Sequence, residues 1–324
     1  MASFRDFGNE LYSGKRSYGF VRRRKTWYVV AVVVVIAAIL APILRGGFSF
    51  GIEFTGGSEF RIDGVSSQGE ALATNTVAEL FPGSESVVST VGTDSIRVQT
   101  EQLADLESEE LRLALADAYG VQGGEVASSF IGPNWGADVT AQAIQGLVVF
   151  LILVSLLMAL YFRSWKMSVA ALAALAHDLI ITVGIYGGLG LEISPAAIIG
   201  FLTILSYSLY DTVVVFDKVR ENTDNVEFSE NVTFAEQVNL AVNQTLVRSI
   251  NTSVVAVLPV AGILFIGSLL LGAGTLTDIA LALFVGTIVG TYSSVFVAAP
   301  VYAHLRENET KYREAAERVI ANRA

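Results

Sequence analysis

Six stretches of this chain are apolar over about the length needed to cross a bilayer, and nothing else in the sequence limits its fold as strongly. A helix needs about 20 mostly apolar residues to span the hydrocarbon layer. The runs lie at 27–44, 141–162, 167–191, 195–216, 249–271 and 279–301. Composition agrees: 52% of the 324 residues are hydrophobic and only 16% are charged, against about 25% charged in soluble domains. The expected fold class is a polytopic α-helical membrane protein with six transmembrane helices. The first run exceeds a signal-peptide core, and LAPILRGG lacks a small-residue cleavage pattern, so it reads as a retained anchor.

Basic residues orient the spans. Residues 1–25 hold seven Lys/Arg; the 163–166 loop adds Arg163 and Lys166; the tail at 302–324 adds Arg306, Lys311, Arg313, Arg318 and Arg323. The positive-inside rule puts all three segments, and so both termini, in the cytoplasm. Residues 45–139 hold four Lys/Arg against fifteen Asp/Glu and fall outside. The net charge of −10 comes largely from that acidic domain and argues against nucleic acid as a partner.

The 45–139 segment is too long for a passive loop. FSFGIEFTGGSEFRI alternates and turns at Thr55-Gly56-Gly57; helical spacing follows over 71–81, short strands at 86–91 and 95–100 flank a Gly92-Thr93-Asp94 turn, an amphipathic helix fills 103–120, and a strand closes at 124–132. The order β-α-β-β-α-β predicts a small ferredoxin-like α+β domain. Its acidic run, Glu107, Glu109 and Glu110, reads as a solvated helix face. Between spans four and five, 217–248 carries a capping box at Thr233 and Glu236, followed by Phe234, Val238 and Ala241 on one face. That pattern predicts an amphipathic helix along the membrane surface. Gly286 and Gly290 read as helix packing.

No soluble-enzyme motif is present. Gly8 to Gly14-Lys15 has the wrong glycine spacing and no following Ser/Thr for a phosphate loop. There is no cysteine, and no cofactor or metal site is expected. The chemistry must come from polar residues inside the spans. Asp178 sits mid-span in the third run, after His177. Asp211 stands in the inner part of the fourth, six residues, or roughly 9 Å, from Asp217. Arg248, Asn251 and Thr252 open the fifth from the same side. An ionised group at the bilayer centre costs from ~3 to more than 10 kcal/mol, so such groups pair or line a polar interior. The expected partner of Asp211 is Arg248. Read structurally, they form an ion pair joining helices four and five; read functionally, Asp211 is a proton or cation relay, because a carboxylate balanced between burial and a nearby cation changes charge when either moves. The relay reading is preferred for Asp211. For Asp178 both stand open, with His177 a proton carrier or a helix contact. Tyr207, Ser208 and Tyr210 offer hydroxyls near Asp211.

These residues carry a resemblance. FLTILSYSLYDTVVVFDKVREN (201–222) resembles the fourth-span signature of the SecF family of protein-export subunits, within the resistance-nodulation-division superfamily. SFGIEFTGGSEF (49–60) is similar to that family's outer-domain entry motif, and HDLIITVGIYG (177–187) and LVRSINTSVVAVLP (246–259) to its third and fifth spans. The resemblance implies a non-enzymatic subunit of the bacterial plasma membrane. It implies a SecD partner of six further spans, the SecYEG channel, and a translocating preprotein whose export the proton motive force completes after the ATP-driven step. Carried over, Asp211 and Arg248 serve proton passage. The chain departs from the pattern at Tyr210 (commonly Asn), Ser206 (commonly Gly) and Glu53 (commonly Asp); the first two are expected to alter packing and hydration beside Asp211. Two other classes stand against this one: a small-molecule or lipid exporter, which would want a twelve-span chain with large outer domains, and a passive scaffold. Sodium could replace the proton, since carboxylates and hydroxyls suit both.

Overall fold

The computed structural model describes residues 4–65, 69–84, 86–91, 95–267 and 274–323. Among the described residues, six helices are long and apolar enough to cross a membrane: Arg24–Arg45, Asn134–Phe162, Trp165–Leu189, Pro195–Phe228, Phe234–Ile266 and Leu276–Glu307. Each coincides with one of the expected runs, the third ending two residues early, at Leu189; residues 268–271, the end of the expected fifth run, lie outside the described residues. Local chemistry sets the ends. Ser194 caps the fourth span by accepting from the Ala197 N–H at 3.1 Å, and Pro195 fills its first turn, where a missing N–H costs nothing. Gly190 closes the third in the left-handed conformation, at φ 70°.

The connection between spans four and five differs from expectation. The fourth helix continues to Thr223, and the fifth begins at Phe234 and runs unbroken into the membrane. The capping box is present: Thr233 Oγ1 accepts from the Glu236 N–H at 3.3 Å, and the Glu236 carboxylate accepts from the Thr233 N–H at 2.9 Å. No separate surface helix forms here, because the apolar face already has a cover. Phe234, Val238 and Ala241 are buried in the main core with Phe216, Tyr302 and Tyr312, the last supplied by the C-terminal helix Thr310–Arg323.

The α+β domain between the first and second spans, outer by the expected topology, follows the expected order. With β1 at Ser49–Phe50, the strands are β2 (Gly57–Ile62), β3 (Ser86–Val91), β4 (Ser95–Thr100) and β5 (Val126–Ile131), and the helices α1 (Glu70–Leu80) and α2 (Asp105–Tyr119). The sheet order is β3-β4-β2-β5 with every neighbour antiparallel, the ferredoxin-like arrangement. Phe60, Ile62, Ile96 and Val98 from the sheet close on Val77, Leu111 and Leu115 from the helices. Glu107, Glu109 and Glu110 are exposed: Glu107 caps the Ala104 N–H at 2.8 Å, and Glu109 pairs with Arg112. The Gly92-Thr93-Asp94 turn lies outside the described residues.

The entry segment corrects part of the sequence reading. The turn at Thr55-Gly56-Gly57 is present, with Gly56 and Gly57 (φ 73° and 141°) redirecting the chain into β2, but the alternation before it stops at Phe50: residues Ile52–Thr55 form a helical turn. β1 leaves the domain and pairs in parallel with β6 (Glu192–Ile193), in the loop between spans three and four.

Candidate functional site

Two carboxylates lie inside the bundle. Asp178 is 1% exposed and Asp211 5%. Both are ringed by hydroxyls. Ser208, on the fourth span, donates to Asp178 Oδ2 at 2.5 Å, and Ser293, on the sixth, donates to the same oxygen at 2.7 Å. His177 Nδ1 lies 3.0 Å from Asp178 Oδ1. Asp211 Oδ1 accepts from Ser249 on the fifth span at 2.7 Å, and Oδ2 accepts from Ser294. Neighbouring serines of one helix thus serve carboxylates on two different helices. Successive residues on a helix are about 100° apart, and the helix widens to a π-turn over Ser294–Ala298, the kind of irregularity that gathers at functional sites.

This arrangement has a chemical consequence. Hydroxyls donate to an ionised carboxylate and accept from a protonated one. Either charge state of Asp178 or Asp211 can therefore be satisfied by rotating hydroxyl hydrogens, with little movement of the helices. A further polar trail leads off: Tyr207 Oη reaches Ser253 at 3.5 Å, Ser253 hydrogen-bonds with Thr291, and Ser294 donates to the Thr291 carbonyl at 3.2 Å. Among the described residues no group of three His, Cys, Asp or Glu side chains is placed to hold a metal ion.

Several expected neighbours of Asp211 lie elsewhere. Arg248 forms no ion pair with it. Ser249 faces Asp211, and one residue of helical rotation turns Arg248 aside, exposed though still within electrostatic reach. Ser208 serves Asp178, Tyr207 points to Ser253, and Tyr210 is 54% exposed. Asn251 is exposed and Thr252 half-buried, and neither bonds to Asp211. Ser206 is exposed as well, so the two fourth-span departures face outward instead of flanking the carboxylate. Ser249, Ser293 and Ser294 escaped the sequence reading. The string TYSS at 291–294, in an otherwise apolar span, was the available signal.

A second cluster, also unforeseen, ties the outer domain to the bundle. Arg97 of β4 pairs with Glu192 of β6 at 2.9 Å. Gln99 donates to Glu192 at 2.8 Å and to Glu59 at 3.1 Å. Beneath it, Asp278 of the sixth span accepts from Ser194 at 2.7 Å, and its carbonyl accepts from Tyr186. Glu53 stands opposite Glu192: a Cβ on Gly51 would strike the Glu53 carboxylate and come within 2.8 Å of Glu192 Oε1. Burial pushes the Glu53 carboxyl above its ordinary range, and the charges of Glu192 and Glu59 push the same way. A carboxyl with a raised folded-state pKa stabilises below its unfolded value and loses that contribution as pH rises through the folded one. Docking of the outer domain should therefore weaken from acid toward neutral pH, and Glu53→Gln should flatten that slope. Hydrogen exchange at the Gly51 amide, which donates to the Ile193 carbonyl, reads it directly; an unchanged slope in the variant would sink the assignment.

Residues 114–308 match the family described as protein export membrane protein SecD/SecF, C-terminal. The whole chain is 43% identical to protein translocase subunit SecF of Streptomyces coelicolor, covering 86% of it. The chain belongs to the SecF family. SecF of Mycobacterium leprae is 41% identical over 97% of this chain and 70% of its own. Among solved structures, SecDF from Thermus thermophilus, described as a translocon-associated membrane protein, superposes with a TM-score of 0.79 at 32% identity. That match covers 90% of this chain and 39% of the SecDF chain, so the SecF fold here corresponds to one part of a longer SecDF polypeptide.

Proposed function

We propose that this SecF-family chain assembles with a SecD partner in the bacterial plasma membrane and uses the proton motive force to complete preprotein export through SecYEG. The observation that carries the reading is the pair of buried carboxylates, Asp178 and Asp211, held by hydroxyls from spans four, five and six and, at Asp178, by His177, with no Lys or Arg ion pair to either among the described residues. An ionised group so placed is expensive even when hydrogen-bonded, so carboxylates kept inside a membrane bundle are read as functional groups. Protonation of Asp211 lets one of Ser249 and Ser294 turn to accept from the new O–H while the other goes on donating to the second oxygen. Arg248 is the counter-charge for the ionised state when the helices shift. The basic segments support a cytoplasmic placement of both termini: Arg24 pairs with Glu307 at 2.6 Å and Lys166 with Glu309 at 2.9 Å, so the start of span one, the 163–166 loop and the tail meet at one end of the bundle. SecDF relatives that carry both parts in one polypeptide support a SecD partner.

The test is late-stage export into vesicles containing this chain and its partner, with proton and sodium gradients imposed separately. Export that follows the proton gradient alone fits the proposal; dependence on sodium alone would replace the coupling ion, and indifference to both would leave a scaffold. Arg248→Ala should remove the gradient-dependent part about as fully as loss of Asp211, although the two form no ion pair in this conformation. Retention of more than half of that part would dismiss Arg248 as counter-charge. Unchanged drug efflux on deletion of the chain removes the exporter reading.

A further inference from the structure

A cleft of about 960 Å³ opens between the amino-terminal segment, the fifth span and the sixth. That is near the upper end for small-molecule pockets, roughly 300–1,000 Å³. Its walls are apolar, formed by Phe20, Trp27, Ile250, Leu258, Ile288 and Phe296. Ile250 and Leu258 are 40% and 65% exposed, so the cleft faces outward from the bundle at membrane depth.

At one end it runs into a polar cavity of about 820 Å³ that shares Ser17, Gly19 and Arg23 with it and adds Arg22 and Lys25. The acids on that cavity are already engaged: Glu307 with Arg24, and Glu236 with Arg323 at 2.7 Å. Arg22, Arg23 and Lys25 are exposed, and their side chains make no ion pair among the described residues. Trp27 and Tyr292 also line the apolar cleft, with ring faces and edges as wall while the indole N–H and the phenol hydroxyl are buried and without a hydrogen-bond partner in the protein.

We propose that cleft and cavity together hold one anionic phospholipid, its phosphate on Arg22, Arg23 and Lys25 and one acyl chain along the apolar walls. Charge complementarity selects this occupant. A neutral apolar ligand would leave the three cations unanswered, and a free phosphate would leave the trough empty. Basic pockets between membrane helices are recurrent sites for acidic headgroups. The spacing fits as well: the apolar wall reaches Trp27 four residues, about 6 Å, beyond Arg23 along the helix, the direction in which an acyl chain follows the phosphate. Ser249 lines the same cleft and donates to Asp211, so a seated chain keeps water from that side of the carboxylate.

The test uses the full chain, alone and co-purified with its SecD partner, after washing in an equal mixture of phosphatidylglycerol and phosphatidylcholine. Native mass spectrometry should find one phosphatidylglycerol retained at least tenfold over phosphatidylcholine in both preparations. The Arg22→Gln, Arg23→Gln, Lys25→Gln triple variant, altered only at exposed positions, should lose the preference. Ile250→Trp, which fills the trough and leaves the cations intact, should lose the bound lipid. Wild-type retention in either variant overturns the proposal. So does displacement by glycerol phosphate at concentrations that match the lipid, which would mean a headgroup site only. Lipid held by the chain alone but absent from the complex would mean that a partner helix covers the cleft, and overturns it too.

Discussion

Asp211→Asn should abolish gradient-dependent export while the chain still folds and assembles with its partner. Asparagine keeps the shape of aspartate, and its carbonyl still accepts from Ser249 or Ser294, whose hydroxyls reach the two oxygens of Asp211. What it cannot do is take up a proton. Removing a buried charge spares the bundle a desolvation cost, so thermal stability should hold or rise. The gradient-dependent increment should fall to the level of vesicles lacking the chain, while the ATP-driven step continues. Loss of assembly in Asp211→Asn would instead mark the residue as a structural tie, and normal export under a proton gradient would end the relay reading. Ser294→Ala is the companion measurement. It removes one donor from Asp211, worth about 1–3 kcal/mol when a buried partner is left unsatisfied, and should shift the pH at which export is half-maximal without abolishing it.

The sequence carried depth well and direction poorly. Apolar runs and basic flanks located all six spans because hydrophobic length is a one-dimensional property. The capping box at Thr233 and Glu236 was equally legible, since both partners lie within one turn. The outer domain yielded to strand and turn spacing for the same local reason. Asp211 and Arg248 were matched because they lie at similar depth, but contact also requires the right face. Ser249, one residue further on, holds that face. Ser293 and Ser294 carry no charge and sit in an apolar run, so nothing in the string sets them apart from serines that merely bond to their own helix. The β1–β6 pairing joins residues more than 140 positions apart through two-residue strands, too short for any alternation to announce. The hidden part of the site is non-local: hydroxyls on three helices, converging only once the bundle is packed.

Gly286→Leu tests whether that packing is what places the hydroxyls. Spans four and six meet along a seam of small residues. A Cβ on Gly286 would run into Ile204; one on Gly200 would come within 2.6 Å of the Ala282 Cβ; one on Gly290 would come within 2.9 Å of the Ser208 Cβ. Ser208 is itself a donor to Asp178, so the width of this seam sets the reach of the serines. Overpacking a close-fitted interface costs about 1–3 kcal/mol, and any separation of the helices adds the penalty of stranding a buried carboxylate. Gly286 lies seven residues, about 10 Å, before Ser293 along the same helix, so separation there carries through to both sites. Gly286→Leu should lower the thermal midpoint in detergent by several degrees and remove gradient-dependent export from whatever protein remains folded. Gly146→Leu is the matched control: it lies in the second span with nothing within 4 Å of an added Cβ, and helix propensity favours leucine over glycine there. If the two variants melt together and export equally, close approach of spans four and six is not what positions Ser208, Ser293 and Ser294, and the carboxylates must find their donors by another route.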